Sequence, residues 1–163
     1  MATTKRDDVI AWLRDAHAME AGTIDNLERL IGRSDEYPQL KKKLREHLGV
    51  SKRQRSDIER ELERLGADTS TLKDWTMKLA GQVEPLVSWF TRDAMPKHCL
   101  AAHAYEALEI ASYRSLLGAA EELGLPELRE MCERFIGEEQ EMANFLFEHL
   151  PEITRQYLRS RAS

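Results

Sequence analysis

Several features are scarce in this chain, and each scarcity removes a class of protein. Its 163 residues contain only two cysteines, five prolines and eight glycines. Cys99 and Cys132 have no metal-ligand spacing, and antiparallel folding about Gly124 sets Cys132 opposite residue 116, about 25 Å along the helix from Cys99. They are expected to be free thiols in a reducing compartment. No apolar run reaches the roughly 20 residues that a membrane span needs. Residues 1–16 carry Asp7, Asp8 and Asp15 and no apolar signal core, so a cytoplasmic location is expected. Alternation of β-branched residues is missing, which excludes strands. Missing too are a glycine-rich phosphate loop, Cys-x-x-Cys, His-Glu-x-x-His and a nucleophile elbow, so no catalytic residue is assigned.

Positive charge is not concentrated either. The net charge is -5, from 24 basic and 29 acidic residues spread along the chain. Lys41–Arg45 and Lys52–Arg55 are short basic runs between acidic stretches, read as a solvated helix face. Neither nucleic acid nor a membrane is expected as a partner.

What the chain does have is helical periodicity, in a length suited to one domain over residues 1–163. Val9, Leu13, Ala16, Glu20, Ile24, Leu27 and Ile31 form one face of a first helix near 6–32. A second, near 37–65, opens at Pro38 and turns Leu40, Leu44, Val50 or Ser51, Gln54, Ile58, Leu62 and Leu65 inward. A third runs from about Pro96 to 123. The fourth, Pro126 to Pro151, carries Leu128, Cys132, Phe135, Glu139, Met142 and Leu146. Residues 67–96, with the capping box Thr71–Asp74 and Gly81 and Pro85 as interruptions, read as a crossover with short helices. Glu152–Arg159 reads as a short C-terminal helix. The expected fold is all-α: an antiparallel four-helix bundle.

Charges inside apolar stripes mark the functional candidates. Glu20, Glu109 and Glu139 each interrupt such a stripe. Counting outward from the turns near residue 34 and at Gly124 puts them at one level, with Gly49 or Val50 in the fourth position. Ferritin-like di-metal bundles place one Glu on each of two helices and Glu-x-x-His on each of the other two. Here those latter positions read Val50-x-x-Arg53 and Glu139-x-x-Met142, so one carboxylate and both imidazoles of the pattern are absent.

Wider motifs carry a resemblance. Ala11-Trp12-Leu13-Arg14-Asp15-Ala16-His17-Ala18-Met19-Glu20, Glu46-His47-Leu48, Leu108 to Arg114, and His149-Leu150-Pro151-Glu152 with Thr154-Arg155-Gln156 are similar to the YciE/YciF group of bacterial ferritin-like proteins. The resemblance implies a ferritin-like bundle of stress-response type without an assigned reaction. Gly49-Val50-Ser51 replaces the group's Glu-Glu-Thr, and Ala107 stands where it often has His; both departures fall on expected ligand positions.

Three carboxylates meeting in a core repel one another and need neutralisation. Arg53 with protons, a weakly held metal, or partial solvation of the layer are three solutions. Arg53, one turn beyond Val50, is expected to lean into the layer and compensate for the missing carboxylate. His17, His47 and Glu106 are weaker ligand candidates, and Tyr105 and Tyr113 are neighbours of Glu109. The expected cofactor is none, or weakly bound iron or manganese. Phe145, Phe147, Tyr157, Trp12, Trp89 and Phe90 exceed what one core can bury, which points to a homodimer. The composite expectation is a degenerate di-metal centre in a structural or interaction module, the alternative being a di-iron or di-manganese oxidoreductase or metal-handling protein; no small-molecule substrate is indicated.

Overall fold

A capping box starts the first helix. Thr4 accepts from the Asp7 N–H at 3.2 Å while the Asp7 carboxylate accepts from the Thr4 N–H at 2.9 Å, satisfying two of the helix's orphan donors. In the computed structural model, which describes residues 4–70, Leu72 and residues 94–161, four helices follow in order: α1 Lys5–Gly32, α2 Pro38–Arg64, α3 Met95–Leu123 and α4 Pro126–Ser160. Proline occupies the first turn of α2, α3 and α4, where its missing N–H costs no hydrogen bond. Gly124 ends α3 in the left-handed region (φ 63°), and the Leu125 N–H returns to the Ala120 carbonyl at 2.9 Å. That reversal stacks α4 on α3.

The bundle is antiparallel, and its axis is divided in a regular way. One apolar cluster joins Val9 and Leu13 of α1, Ile58 and Leu62 of α2, Leu116 of α3 and Leu128 and Phe135 of α4. A second joins Leu27 and Leu30, Leu40 and Leu44, Cys99, and Met142 and Leu146. On every helix the two clusters are separated by a stretch whose inward residues are mostly polar, buried Ile24 of α1 being the exception. No strand occurs among the described residues, and both cysteines are buried and free.

One expectation changes. The segment after Pro151 is no separate helix, because α4 continues through it to Ser160. Proline removes one hydrogen bond, but buried Ile153 anchors the next turn in the second cluster and Gln156 donates to the Glu36 carbonyl at 2.5 Å. The short helices expected in the crossover, with Trp75, Trp89 and Phe90, fall on residues outside those described.

Candidate metal centre

The polar stretch of each helix faces the bundle axis. Glu20 and Thr23 come from α1, His47, Ser51 and Gln54 from α2, Glu106 and Glu109 from α3, and Glu139 from α4, all buried. Glu20, Glu109 and Glu139 are essentially inaccessible to solvent. Ferritin-like spacing puts Val50 and Arg53 at the ligand positions of α2. Instead the inward stripe of α2 is Leu44, His47, Ser51, Gln54 and Ile58, at alternating three- and four-residue steps.

Arg53 therefore does not neutralise the layer. Its guanidinium, about half exposed, bonds Glu138 at 2.7 Å on the bundle surface. The internal cation is His47. Its Nε2 lies 3.2 Å from both Glu106 Oε2 and Glu139 Oε2, and neither contact has the alignment of a hydrogen bond. A single N–H between two carboxylates cannot point at both.

Three of the layer's four carboxylates spend one oxygen and keep another. Tyr113 donates to Glu20 Oε1, Thr23 donates to Glu109 Oε1, and Gln54 donates to Glu139 Oε1. The Oε2 atoms of Glu20, Glu106, Glu109 and Glu139 are buried without a hydrogen-bond partner, as are His47 Nε2, Ser51 Oγ and Gln54 Oε1. Buried acceptors are rarely left so, and here they belong to facing helices at one level.

Electrostatics explains how the layer stays neutral when it holds only protons. Burial, joined by repulsion from Glu139, raises the Glu20 pKa well above the carboxylate range; burial and the charges of Glu20, Glu106 and Glu139 do the same to Glu109. Burial also lifts Glu106, to about 8, although His47 opposes the shift. For His47, burial favours the neutral ring but the flanking Glu106 and Glu139 outweigh it, and the pKa is pushed up to about 10. Burial would raise Glu139 too, yet its contacts with His47, Glu106 and Gln54 bring it below the usual value. The outcome at neutral pH is an imidazolium–carboxylate pair and three protonated glutamates.

Among the described residues, His47, Glu106 and Glu139 each offer a ligand atom, all within 4.8 Å of one another. Three donors at that separation, with further unpaired carboxylate oxygens beside them, match what a divalent ion of iron or manganese type takes: mainly oxygen, with one imidazole. The donor set fits such an ion. Of the sequence candidates, Glu20, Glu109 and Glu139 share the layer, and His47 and Glu106 join them. His17 does not: it is buried but pairs with Glu59 at 2.7 Å on the α1–α2 side. Thr23, Ser51 and Gln54 were not among the candidate ligands, though Gln54 and Ser51 lie on the inward stripe of α2. Tyr113 is packed edge-on against Phe135 and hydrogen-bonds a carboxylate. Tyr105 approaches α1 so closely that a β-carbon on Gly22 would stand 3.1 Å from its hydroxyl.

Two comparisons bear on what this bundle is. The crystal structure of a protein from Xanthomonas campestris pv. campestris matches it with a TM-score of 0.83 at 29% identity, over 98% of this chain and 100% of that one. A family model described as "Domain of unknown function (DUF892)" matches residues 4–159. With that match spanning nearly the whole bundle, the chain belongs to the DUF892 family, a family of the ferritin-like superfamily.

Proposed function

We propose that this protein is a cation-binding ferritin-like bundle, in which His47, Glu106 and Glu139 hold a divalent transition ion and Glu20 and Glu109 complete the anionic cradle. The observation that carries this reading is the convergence of buried, partnerless ligand atoms from all four helices. Each unsatisfied buried acceptor costs about 1–3 kcal/mol, and apolar residues of similar volume would avoid that cost. An ion held by His47, Glu106 and Glu139 gives the partnerless atoms of these three residues a partner.

An ion of this class supplies Lewis acidity and, for iron or manganese, redox chemistry. The chain's own residues set its surroundings. Tyr113, Thr23 and Gln54 fix carboxylate orientation through the oxygen each one occupies, leaving the second oxygen aimed inward. The apolar clusters above and below exclude water from the layer.

Within the family we place the chain with the YciE/YciF group, as a cytoplasmic, stress-associated protein, on the motifs around Trp12–Glu20 and His149–Glu152. No helix among the described residues is long and apolar enough to cross a membrane. A homodimer is supported by Phe147 and Trp12, large apolar residues that are 68% and 47% exposed. Trp89 and Phe90, also expected there, lie outside the described residues.

The second reading is a layer filled by protons alone, favoured by the neutral balance that His47 and Glu139 reach with three protonated glutamates. Elemental mass spectrometry on protein purified without chelators separates the two. The cation reading expects stoichiometric iron or manganese in the wild type and its loss in His47→Ala and Glu139→Gln with helicity retained. Metal-free wild type that takes up neither ion on incubation leaves the proton-filled reading.

A further inference from the structure

An ion bound in the layer has to cross one of the seams between adjacent helices, and these seams differ. The α2–α4 seam is the least closely packed of the four adjacent pairs. Ion pairs line it: Lys43–Glu141, Arg53–Glu138, Asp57–Arg134 and Arg64–Glu127. One of these continues inward. Glu138 Oε1 accepts from Arg53 at 2.7 Å and its Oε2 accepts from Gln54 Nε2 at 2.9 Å. The same amide nitrogen donates to Glu139 Oε1 at 2.5 Å, and Glu139 Oε2 lies beside His47. Exposure falls steadily along this track, from 51% for the Arg53 side chain to 22% for Glu138 and 1% for Glu139.

Resting on the cation-binding reading above, we propose that Arg53–Glu138–Gln54 is the route by which a divalent cation passes between solvent and His47, Glu106 and Glu139. Glu138 captures the ion at the surface, and Arg53 is the counter-charge it displaces. The latch opens at low cost, because solvent screens a partly exposed ion pair. A divalent ion carries twice the charge of the guanidinium it replaces at the same carboxylate. Gln54 is suited to the next step because it is neutral and two-faced. Its amide nitrogen bridges Glu138 and Glu139 when no cation is between them, while its Oε1, buried and partnerless, is available to a passing cation once the amide turns over. Ser51 Oγ, also buried and partnerless, is a second oxygen one turn away on the same face. The neighbouring Lys43–Glu141 pair has no such continuation: Glu141 is 72% exposed and stays on the surface.

Uptake kinetics test this. Metal-stripped full-length protein is mixed with Co²⁺ in a stopped-flow instrument, with free ion followed by a fast metallochromic indicator and release measured by chelator challenge. Glu138→Gln, which keeps the shape but removes the capturing charge, is expected to slow uptake and release alike by about tenfold, the lower end of what a charge-lined cleft contributes to association. Equilibrium affinity should stay unchanged. Arg53→Gln should accelerate uptake, and Glu141→Gln on the same seam should leave it alone. Wild-type uptake rates in Glu138→Gln would overturn the route, and so would a loss of affinity at an unchanged uptake rate, which would make Glu138 a ligand. Failure of the wild type itself to take up Co²⁺ would remove the cation-binding reading and the route with it.

Discussion

The ends of this bundle and its middle are built on opposite principles. At the ends, residues such as Leu13, Leu62 and Phe135, or Leu44, Cys99 and Leu146, are buried to the last few square ångströms and interlock across all four helices. Burial of this kind is where bundle stability comes from. The middle layer buries four glutamates, a histidine, a glutamine, a serine and a threonine at equal depth. Desolvating these groups works against folding, and only part of their hydrogen-bonding capacity is met. A core that could have been apolar throughout is interrupted at one level on every helix, which separates what holds the protein together from what it is used for.

Truncation at the ends should produce the largest effects. Phe135→Ala or Leu62→Ala is expected to cost about 3–5 kcal/mol in chemical denaturation, with or without metal and with little dependence on pH. Equal losses on truncating a carboxylate of the layer in chelated protein would erase the distinction between the regions.

The middle should instead reveal itself through pH. Glu106 ordinarily titrates near 4.5 and does so at about 8 in the fold, so the folded protein retains a proton that the unfolded chain gives up. Stability from that proton is fully present below pH 4.5 and is lost as pH rises towards 8. Glu20 and Glu109, also raised, act with the same sign. His47 adds to the trend, its contribution disappearing between its ordinary 6.5 and about 10. Glu139, shifted down, has the opposite sign and matters only below its ordinary 4.5. Chelated protein should therefore lose stability between pH 6 and 9, by about 1.4 kcal/mol per pH unit for each proton retained. Saturating Mn²⁺ should flatten that slope, since the ion replaces the protons. Melting temperatures across the range, with and without metal, check both statements.

Smaller changes sharpen the contrast further. Glu109→Gln keeps an acceptor for Thr23 and removes an ionisable group, so at pH 8 it should stabilise chelated protein by about 1–3 kcal/mol while weakening metal binding. A mutation that strengthens the fold and damages the site is what the division between ends and middle implies. Arg53→Ala should do least, under about 1 kcal/mol in denaturant, because its pair with Glu138 is on the surface. A loss of several kcal/mol would mean that Arg53 does reach the buried charges after all.

The sequence made much of this legible, for a physical reason. A buried helix face writes its three-and-four spacing into the chain, so the α1 stripe and the Leu128–Leu146 stripe of α4 appear directly, and Glu20, Glu109 and Glu139 stand out as charges within apolar runs. The register of α2 was harder to see. Its inward face is polar from His47 to Gln54, so no apolar contrast marks it, and counting from a turn is good only to about two residues. That error put Val50 and Arg53 at the ligand positions, although Gln54 is read as inward, Ser51 as the alternative to Val50 and His47 as a weaker candidate. Three- and four-residue steps from the unambiguous Leu44 to Ile58 select His47, Ser51 and Gln54 together. Glu106, a weaker candidate from the sequence, lies one turn before Glu109 on the face running from Cys99 to Tyr113. Which groups leave an oxygen unpaired depends on Tyr113 and Thr23, more than eighty residues from their partners, and no local pattern encodes that.

The central claim is that the middle layer exists to hold a cation, and calorimetric titration of chelated protein with Mn²⁺ or anaerobic Fe²⁺ at pH 7, repeated in two buffers of different ionisation enthalpy, tests it most directly. Saturable binding accompanied by proton release, abolished in His47→Ala and Glu139→Gln while the helices persist, is the result expected. Heats no greater than dilution in the wild type, or undiminished binding in both variants, would contradict it.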